Sequence, residues 1–152
     1  MKKGLVLVAL MLFASAATAR SSVDVTGNAS FAEQQKKVLT DLADGETYAE
    51  ITPENRSRVV EALGRMERLL GGREANALHP DDRAKLINEQ EVVNTILTRA
   101  RSDSRLICSR ETPIGSRMAT TVCRSVAERR RQQDDSRQRM EAAGRGRANT
   151  IL

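Results

Sequence analysis

The sequence predicts a mainly α-helical protein, with a three-helix body, a disulfide-stapled β-hairpin and a polar C-terminal helix. Apolar residues recur at helical spacing in three successive segments, and each segment begins with a helix-capping residue. Two β-prone runs near residues 105–124 flank a proline–glycine turn signal and carry the only two cysteines. The last segment has a helix-forming composition but almost no apolar stripe, which predicts a solvent-exposed helix.

Residues 1–19 have the three parts of a secretory signal peptide. Two lysines form a positive end, residues 5–13 form an apolar run, and Ala17-Thr18-Ala19 is a small-residue cleavage site. We expect a Sec-type signal cleaved after Ala19, with Ala16 as the alternative. Because the apolar run is too short for a spanning helix, we expect a periplasmic or secreted protein with no integral membrane segment after signal removal.

The first helix of the mature chain follows a polar segment. Residues 20–29 are expected to form a disordered lead, and residues 30–124 a single small domain. Ser30, with Glu33 three residues later, is a capping box that predicts a helix near 30–43. An Asp-Gly pair then ends the apolar periodicity and predicts the helix stop.

The second and third helices share one start signal. Thr52-Pro53-Glu54 predicts a helix near 53–70, because threonine caps well and proline suits the first turn. His79-Pro80-Asp81 predicts the third helix, near 80–101, by the same logic. The expected buried faces are Val59, Leu63, Met66 and Leu70 in the second helix, and Leu86, Val93, Leu97 and Ala100 in the third.

The turn of the predicted hairpin allows two registers. If Gly115-Ser116 forms a type II′ turn, Cys108 lies opposite Cys123, within disulfide reach. If Pro113-Ile114-Gly115 forms a type I turn with a left-handed glycine, Cys108 falls near Thr120 instead. Cysteines of exported proteins usually pair, which favours the first register and a structural disulfide over free thiols.

No motif in the sequence indicates catalysis. The two cysteines are too far apart for the C-x-x-C arrangement of thiol oxidoreductases. His79, the only histidine, stands at a helix start, where an exposed capping role is expected. Since no nucleophile–base set, phosphate loop or metal cluster is recognisable, we expect no enzymatic activity, no cofactor and no metal.

The basic charge of the chain lies at its C-terminal end. Loss of the two signal lysines lowers the net charge from +5 to +3, while the segment from Arg124 onward holds eight arginines and four acids. Residues 125–144 are expected to form a polar, arginine-rich helix near 126–143, and residues 145–152 a disordered tail. The expected supports of this helix are two ion pairs four residues apart, Arg130–Asp134 and Arg131–Asp135.

The cysteines belong to a longer pattern, C-x-R-x-x-x-x-G-S-R-x-x-x-x-x-C-R. Its fixed positions are Cys108, Arg110, Gly115, Ser116, Arg117, Cys123 and Arg124. The pattern resembles a motif near the C-terminus of small exported proteins of gammaproteobacteria, especially Xanthomonas-like bacteria. The resemblance covers about twenty residues. It implies export and a disulfide, and it implies no activity.

Two kinds of function fit these features. The first is a non-enzymatic interaction or structural module that presents the hairpin to another exported or envelope protein. The second is a binder of anionic surfaces, namely lipopolysaccharide, anionic lipid or nucleic acid. The candidate surface residues are Arg110, Glu111, Arg117, Arg124, Arg129, Arg130 and Arg131. The competing interpretations are that the arginine run is a solvated helix face and that the hairpin only covers one end of the helical core.

Overall fold

The computed structural model describes residues 23–27 and 29–148, so the predicted signal peptide lies outside the described residues. The elements in chain order are α1 (Phe31–Ala43), α2 (Pro53–Leu70), a short 3-10 helix (Ala75–Ala77), α3 (Pro80–Ser104), β1 (Leu106–Glu111), β2 (Thr120–Ser125) and α4 (Val126–Ala148). The two strands form an antiparallel hairpin, and helices make up most of the rest. The predicted class, mainly α with a stapled hairpin and a C-terminal helix, is confirmed.

The body helices begin at the predicted capping residues. The hydroxyl of Ser30 accepts a hydrogen bond from the Glu33 N–H at 3.3 Å, and the hydroxyl of Thr52 accepts one from Asn55 N–H at 3.2 Å. These bonds satisfy N–H groups that have no partner inside a first helical turn. The sequence signals therefore locate the helix starts closely.

Two helices run further than predicted. Helix α3 continues to Ser104 rather than to about residue 101, and α4 continues past Gly144 to Ala148. Each glycine costs a helix only about 1 kcal/mol relative to alanine, and α4 continues through both Gly144 and Gly146. Residues 145–148 are thus helical where we expected a disordered tail, and residues 149–152 lie outside the described part.

The hydrophobic core lies where α1 and α3 pack against α2. All eight residues predicted for the inner faces of α2 and α3 are buried. Tyr48, from the connector after α1, is also buried, and Arg101 of α3 lies over its ring at 5.5 Å from the ring centre. Aliphatic side chains thus supply most of the core, as expected for a chain with so few aromatic residues.

Residues 23–27, which we term the N-terminal strap, differ from the expected disordered lead. Val23 is fully buried and Val25 is 8% exposed, and both belong to the core. The backbone of the strap is hydrogen-bonded by side chains of α1 and α3. Its two buried valines alternate with a half-exposed Asp24, a period-two pattern that is too short to stand out among polar neighbours. Residues 20–22 and 28 lie outside the described residues.

The hairpin has the favoured register but a different turn. Cys108 pairs with Cys123, and their sulfur atoms are bonded. The ladder ends at Glu111 and Thr120, however, and the N–H of Ser116 donates to the carbonyl of Pro113 at 3.0 Å. The central turn residues are therefore Ile114 and Gly115, not Gly115 and Ser116.

The turn geometry has a simple cause. Gly115 has φ +85°, which is what the third position of a type II turn requires. Pro113 has no N–H with which to extend the ladder, so the strands separate before they reach it. Residues 112–119 form a loop at the tip of the hairpin.

The hairpin is attached to the body at its base. The N–H of Val126 donates to the carbonyl of Arg105 at 3.0 Å, which joins the entry of β1 to the exit of β2. No residue of β1 or β2 belongs to the buried core cluster of the described chain. The hairpin therefore contributes no side chain to that apolar cluster, although Ser125 at the end of β2 is buried.

Candidate functional site

The hairpin has one half-buried face and one exposed face. Successive strand residues point to opposite sides of a sheet, and the pairing of the strands fixes which residues share a side. One side carries the half-buried Ile107, Glu111, Val122 and Arg124 together with the exposed Ser109 and Thr120. The other side carries the exposed Leu106, Cys108, Arg110, Thr121 and Cys123, with the buried Ser125 at its base. The disulfide is therefore on the solvent side, where it constrains the ribbon without filling the core.

Large apolar side chains are exposed along this ribbon. Leu106 is 66% exposed, Met118 is 77% exposed, and Ile114 at the tip is fully exposed. Arg110 and Arg117 are exposed among them. We call these five residues the hairpin surface. Single exposed apolar residues are common, but several on one projecting ribbon are typical of a contact surface.

Two of the predicted site residues bind each other. The guanidinium of Arg124 donates two hydrogen bonds to the carboxylate of Glu111, one to each oxygen. This pairing, helped by the Ser109 hydroxyl, lowers the pKa of Glu111, and the same pairing raises the pKa of Arg124. A bidentate pair has a fixed geometry, so these two residues stiffen the ribbon, and their charges are already paired with each other.

Two more predicted residues attach α4 to the body. Arg130 binds Asp103 at 3.0 Å, and Arg131 binds Glu50 at 2.8 Å. The predicted pairs of these arginines with Asp134 and Asp135 are not formed. The side chains of Glu50 and Asp103 are 19% and 17% exposed, and a charge near the interior interacts more strongly than a solvated one.

Glu50 is the centre of this attachment. The Ser125 hydroxyl donates to one Glu50 carboxylate oxygen and accepts a hydrogen bond from the Glu128 N–H, so it also caps α4. The contacts with Arg131 first, and then with Ser125, lower the pKa of Glu50. Sequence analysis missed Glu50 and Asp103, because a polar residue in a connector or helix end does not indicate a partner so distant in the chain.

The seven candidate residues therefore separate into two groups. Arg124, Glu111, Arg130 and Arg131 are engaged within the protein. Among the described residues, Arg110, Arg117 and Arg129 take part in no salt bridge, and all three are exposed. Of the seven candidates, the cations open to a partner are thus on the hairpin and at the start of α4.

Other features of the described chain offer less chemistry. A cleft of about 480 Å³ lies between α2 and α3, but its lining includes neither a histidine nor a cysteine. His79 caps α3, as predicted, because its ring nitrogen accepts a hydrogen bond from the N–H of Asp81. Within residues 23–27 and 29–148, three or more potential metal ligands do not gather at any point, and no helix there is both long and apolar enough to cross a bilayer.

Comparison with known proteins adds no functional assignment. The chain matches no protein-family model, no curated protein and no solved structure.

Proposed function

We propose that this protein is an exported, non-enzymatic interaction module that presents the hairpin surface to another exported or envelope protein. The observation that carries the proposal is the exposure of Leu106, Ile114 and Met118 on a ribbon that gives no residue to the core. Such side chains gain free energy when a partner removes them from water. Export is part of the proposal, and its support is the signal-like N-terminus and the paired cysteines.

The chemistry of the hairpin surface defines the kind of partner. Three apolar side chains suit a shallow apolar patch, and Arg110 and Arg117 beside them suit acidic residues at its rim. Arginine and large apolar residues are enriched at protein interfaces. The disulfide and the Glu111–Arg124 pair hold the ribbon in one conformation, which reduces the entropy that binding must remove.

A pull-down from periplasmic extract tests this function. The bait is the intact protein, compared with an Ile114→Ser, Met118→Ser variant that removes two apolar contacts from the loop. We expect a specific partner to be captured by the intact protein and lost with the variant. Because both side chains are exposed, the variant should keep the Tm of the intact protein.

The matched control replaces two exposed apolar side chains of the helical body by serine. Val60 and Ile87 are 45% and 43% exposed on α2 and α3, so a Val60→Ser, Ile87→Ser variant removes surface of the same kind elsewhere. This control should retain the partner. Equal capture by all three proteins would mean that the hairpin surface does not bind it, and the proposal would be wrong.

A second function, binding to anionic surfaces, has its own support. Arg110, Arg117 and Arg129 are exposed and form no salt bridge among the described residues. These three arginines lie on neighbouring elements and form a small positively charged patch that attracts phosphate groups. The other arginines of the predicted site contribute less, because Glu50, Asp103 and Glu111 already balance them.

Salt dependence distinguishes this function from the first. Binding to vesicles with anionic headgroups should weaken steeply between about 50 and 200 mM salt if phosphate contacts dominate. Replacing Arg110, Arg117 and Arg129 by glutamine should abolish that binding, whereas replacing the internally paired Arg124 and Arg131 should change it much less. Binding that is insensitive to salt, or equally affected by both sets, would exclude this second function.

A further inference from the structure

The side chains of Gln34, Gln90 and Asn94, which we call the amide clamp, hold the backbone of the N-terminal strap. The Val23 N–H donates to Asn94 Oδ1 at 2.9 Å, and Asn94 Nδ2 donates back to the Val23 carbonyl at 2.8 Å. The Val25 N–H donates to Gln90 Oε1 at 2.7 Å. One edge of the strap is thus bound by two residues one helical turn apart on α3.

The opposite edge of the strap is bound by α1. The Asp24 N–H donates to Gln34 Oε1 at 2.6 Å, and Gln34 Nε2 donates to the Asp24 carbonyl at 2.9 Å. At Val23 and Asp24, before the turn at Val25 and Thr26, successive residues direct their backbone groups to opposite edges, as in an extended chain. The amide clamp therefore does for the strap what two neighbouring strands do for the central strand of a sheet.

The side chains of the strap add a sequence preference to this backbone recognition. Val23 and Val25 both enter the core, where they are 0% and 8% exposed. Asp24 lies between them, half-exposed, and its carboxylate accepts hydrogen bonds from the backbone and hydroxyl of Thr26. The groove thus receives small aliphatic side chains at positions i and i+2 and leaves position i+1 at the surface.

We propose that the groove between α1 and α3 is a peptide-binding site, and that the strap is its resident ligand. The ligand class is an extended peptide with β-branched aliphatic residues at positions i and i+2. Because all five hydrogen bonds between the clamp and the strap go to backbone groups of the strap, any chain with those two residues can make them. This is the logic of peptide recognition by strand addition, in which the backbone supplies affinity and alternate pockets supply specificity.

The strap competes with any added peptide because it is part of the same chain. A tethered segment acts at a high effective concentration, so the wild-type groove is largely occupied. A peptide from elsewhere binds in proportion to the fraction of molecules whose strap has left the groove. The site is separate from the hairpin surface, because its α3 residues lie mid-helix and the hairpin follows the C-terminal end of α3.

Peptide titration of a strap-released variant tests the proposal. In the full mature chain, Val23→Asp, Val25→Asp places two charges where the groove is apolar and keeps the strap out. The probe is a fluorescent peptide with the sequence of residues 20–27. We expect saturable binding to the variant at least tenfold tighter than to wild type. A peptide carrying aspartate at both valine positions should not bind.

Two further substitutions locate the bound peptide. In the strap-released variant, Gln34→Ala should weaken peptide binding at least tenfold, because it removes both bonds to position i+1. The matched control is Gln35→Ala, whose side chain contacts Glu67 instead and should leave affinity unchanged. Equal effects of the two substitutions would place the peptide elsewhere and overturn the proposal.

A milder variant decides the question if the aspartate variant does not fold. Val23→Ala, Val25→Ala loosens the strap without introducing charge. Since a ligand that binds only the folded state stabilises it, the wild-type peptide should raise the Tm of this variant, and the peptide with two aspartates should not. No binding by a folded strap-released variant, or no rise in Tm for the alanine variant, would overturn the proposal.

Discussion

Glu50 holds Arg131 through two hydrogen bonds, at 2.8 and 3.3 Å, although the two residues are 81 positions apart in the chain. The same carboxylate accepts a hydrogen bond from the hydroxyl of Ser125, the residue at which the hairpin ends and α4 begins. One side chain in the connector between α1 and α2 thus fixes both the base of the hairpin and the direction of the last helix. Loss of the Glu50 carboxylate should loosen the base of the hairpin and α4 while leaving the core intact.

The stability of the protein should depend on the charge of Glu50 at acid pH. Its pKa is lower in the folded protein than the ordinary value of 4.5, so the unfolded chain takes up the proton first as the pH falls. The stabilisation from Glu50 is therefore fully present above the ordinary pKa and is lost as the pH falls through the folded value. Chemical unfolding of wild type and Glu50→Gln measures this effect.

We expect Glu50→Gln to be less stable than wild type at pH 7, with a difference that shrinks towards pH 3. Glu54→Gln is the matched control, because Glu54 is exposed in the first turn of α2. A stability difference that stayed constant with pH would show that the charge of Glu50 is unimportant.

Removing the disulfide should affect the hairpin and spare the body. The bond closes a loop with a sequence separation of 15, which corresponds to roughly 3 kcal/mol in the loop-entropy model. An isolated two-stranded hairpin is marginal in water, so Cys108→Ser, Cys123→Ser should open the ribbon. Limited proteolysis should then cut within residues 106–125, while circular dichroism keeps most of the helical signal.

Global unfolding of the Cys108→Ser, Cys123→Ser variant at 25 °C would mean that the helical body needs the hairpin in order to stay folded. That result would contradict the absence of hairpin residues from the core cluster.

A cavity at Leu97 should destabilise the whole protein. Leu97 is fully buried on α3, and truncation of such a residue to alanine usually costs about 2–5 kcal/mol. Leu97→Ala should lower the free energy of unfolding by that amount in a urea titration, and Leu97→Asp should prevent folding, because an unpaired buried charge costs still more. Thr98→Ala, an exposed neighbour, should be close to neutral.

The strap should contribute to stability from outside the three helices. Val23→Ala removes two buried carbons, which corresponds to about 1.6 kcal/mol at roughly 0.8 kcal/mol per buried carbon. Thermal unfolding should show a clear fall in Tm, whereas Thr26→Ala, at an exposed position, should change it much less. An unchanged Tm for Val23→Ala would mean that the strap is not part of the core in solution.

Local signals in the sequence were sufficient for most of the fold. Ser30, Thr52 and His79 predicted the helix starts because a cap acts on N–H groups only two or three residues away. Helical spacing predicted the inner faces of α2 and α3 for the same reason. The register that pairs Cys108 with Cys123 was also predicted, although the turn that joins the strands was not.

The features that the sequence did not reveal depend on distant partners. Val23 is buried in the core, and its backbone is held by Asn94, 71 residues later. Arg130 and Arg131 bind Asp103 and Glu50 rather than nearby acids, because those carboxylates are better shielded from water. Of the candidate site, the cysteine pair and the exposure of Arg110 and Arg117 were accessible from local pattern, and the distant ion pairs were not.

Helix α4 leaves the body soon after Arg131, and residues 132–144 are all exposed. At the usual rise of about 1.5 Å per residue, this stretch is roughly 20 Å long. With its first turns anchored by Asp103 and Glu50, it works as a rod fixed at one end. Anything bound near Met140, which is 70% exposed, would be held at a set distance from the helical body.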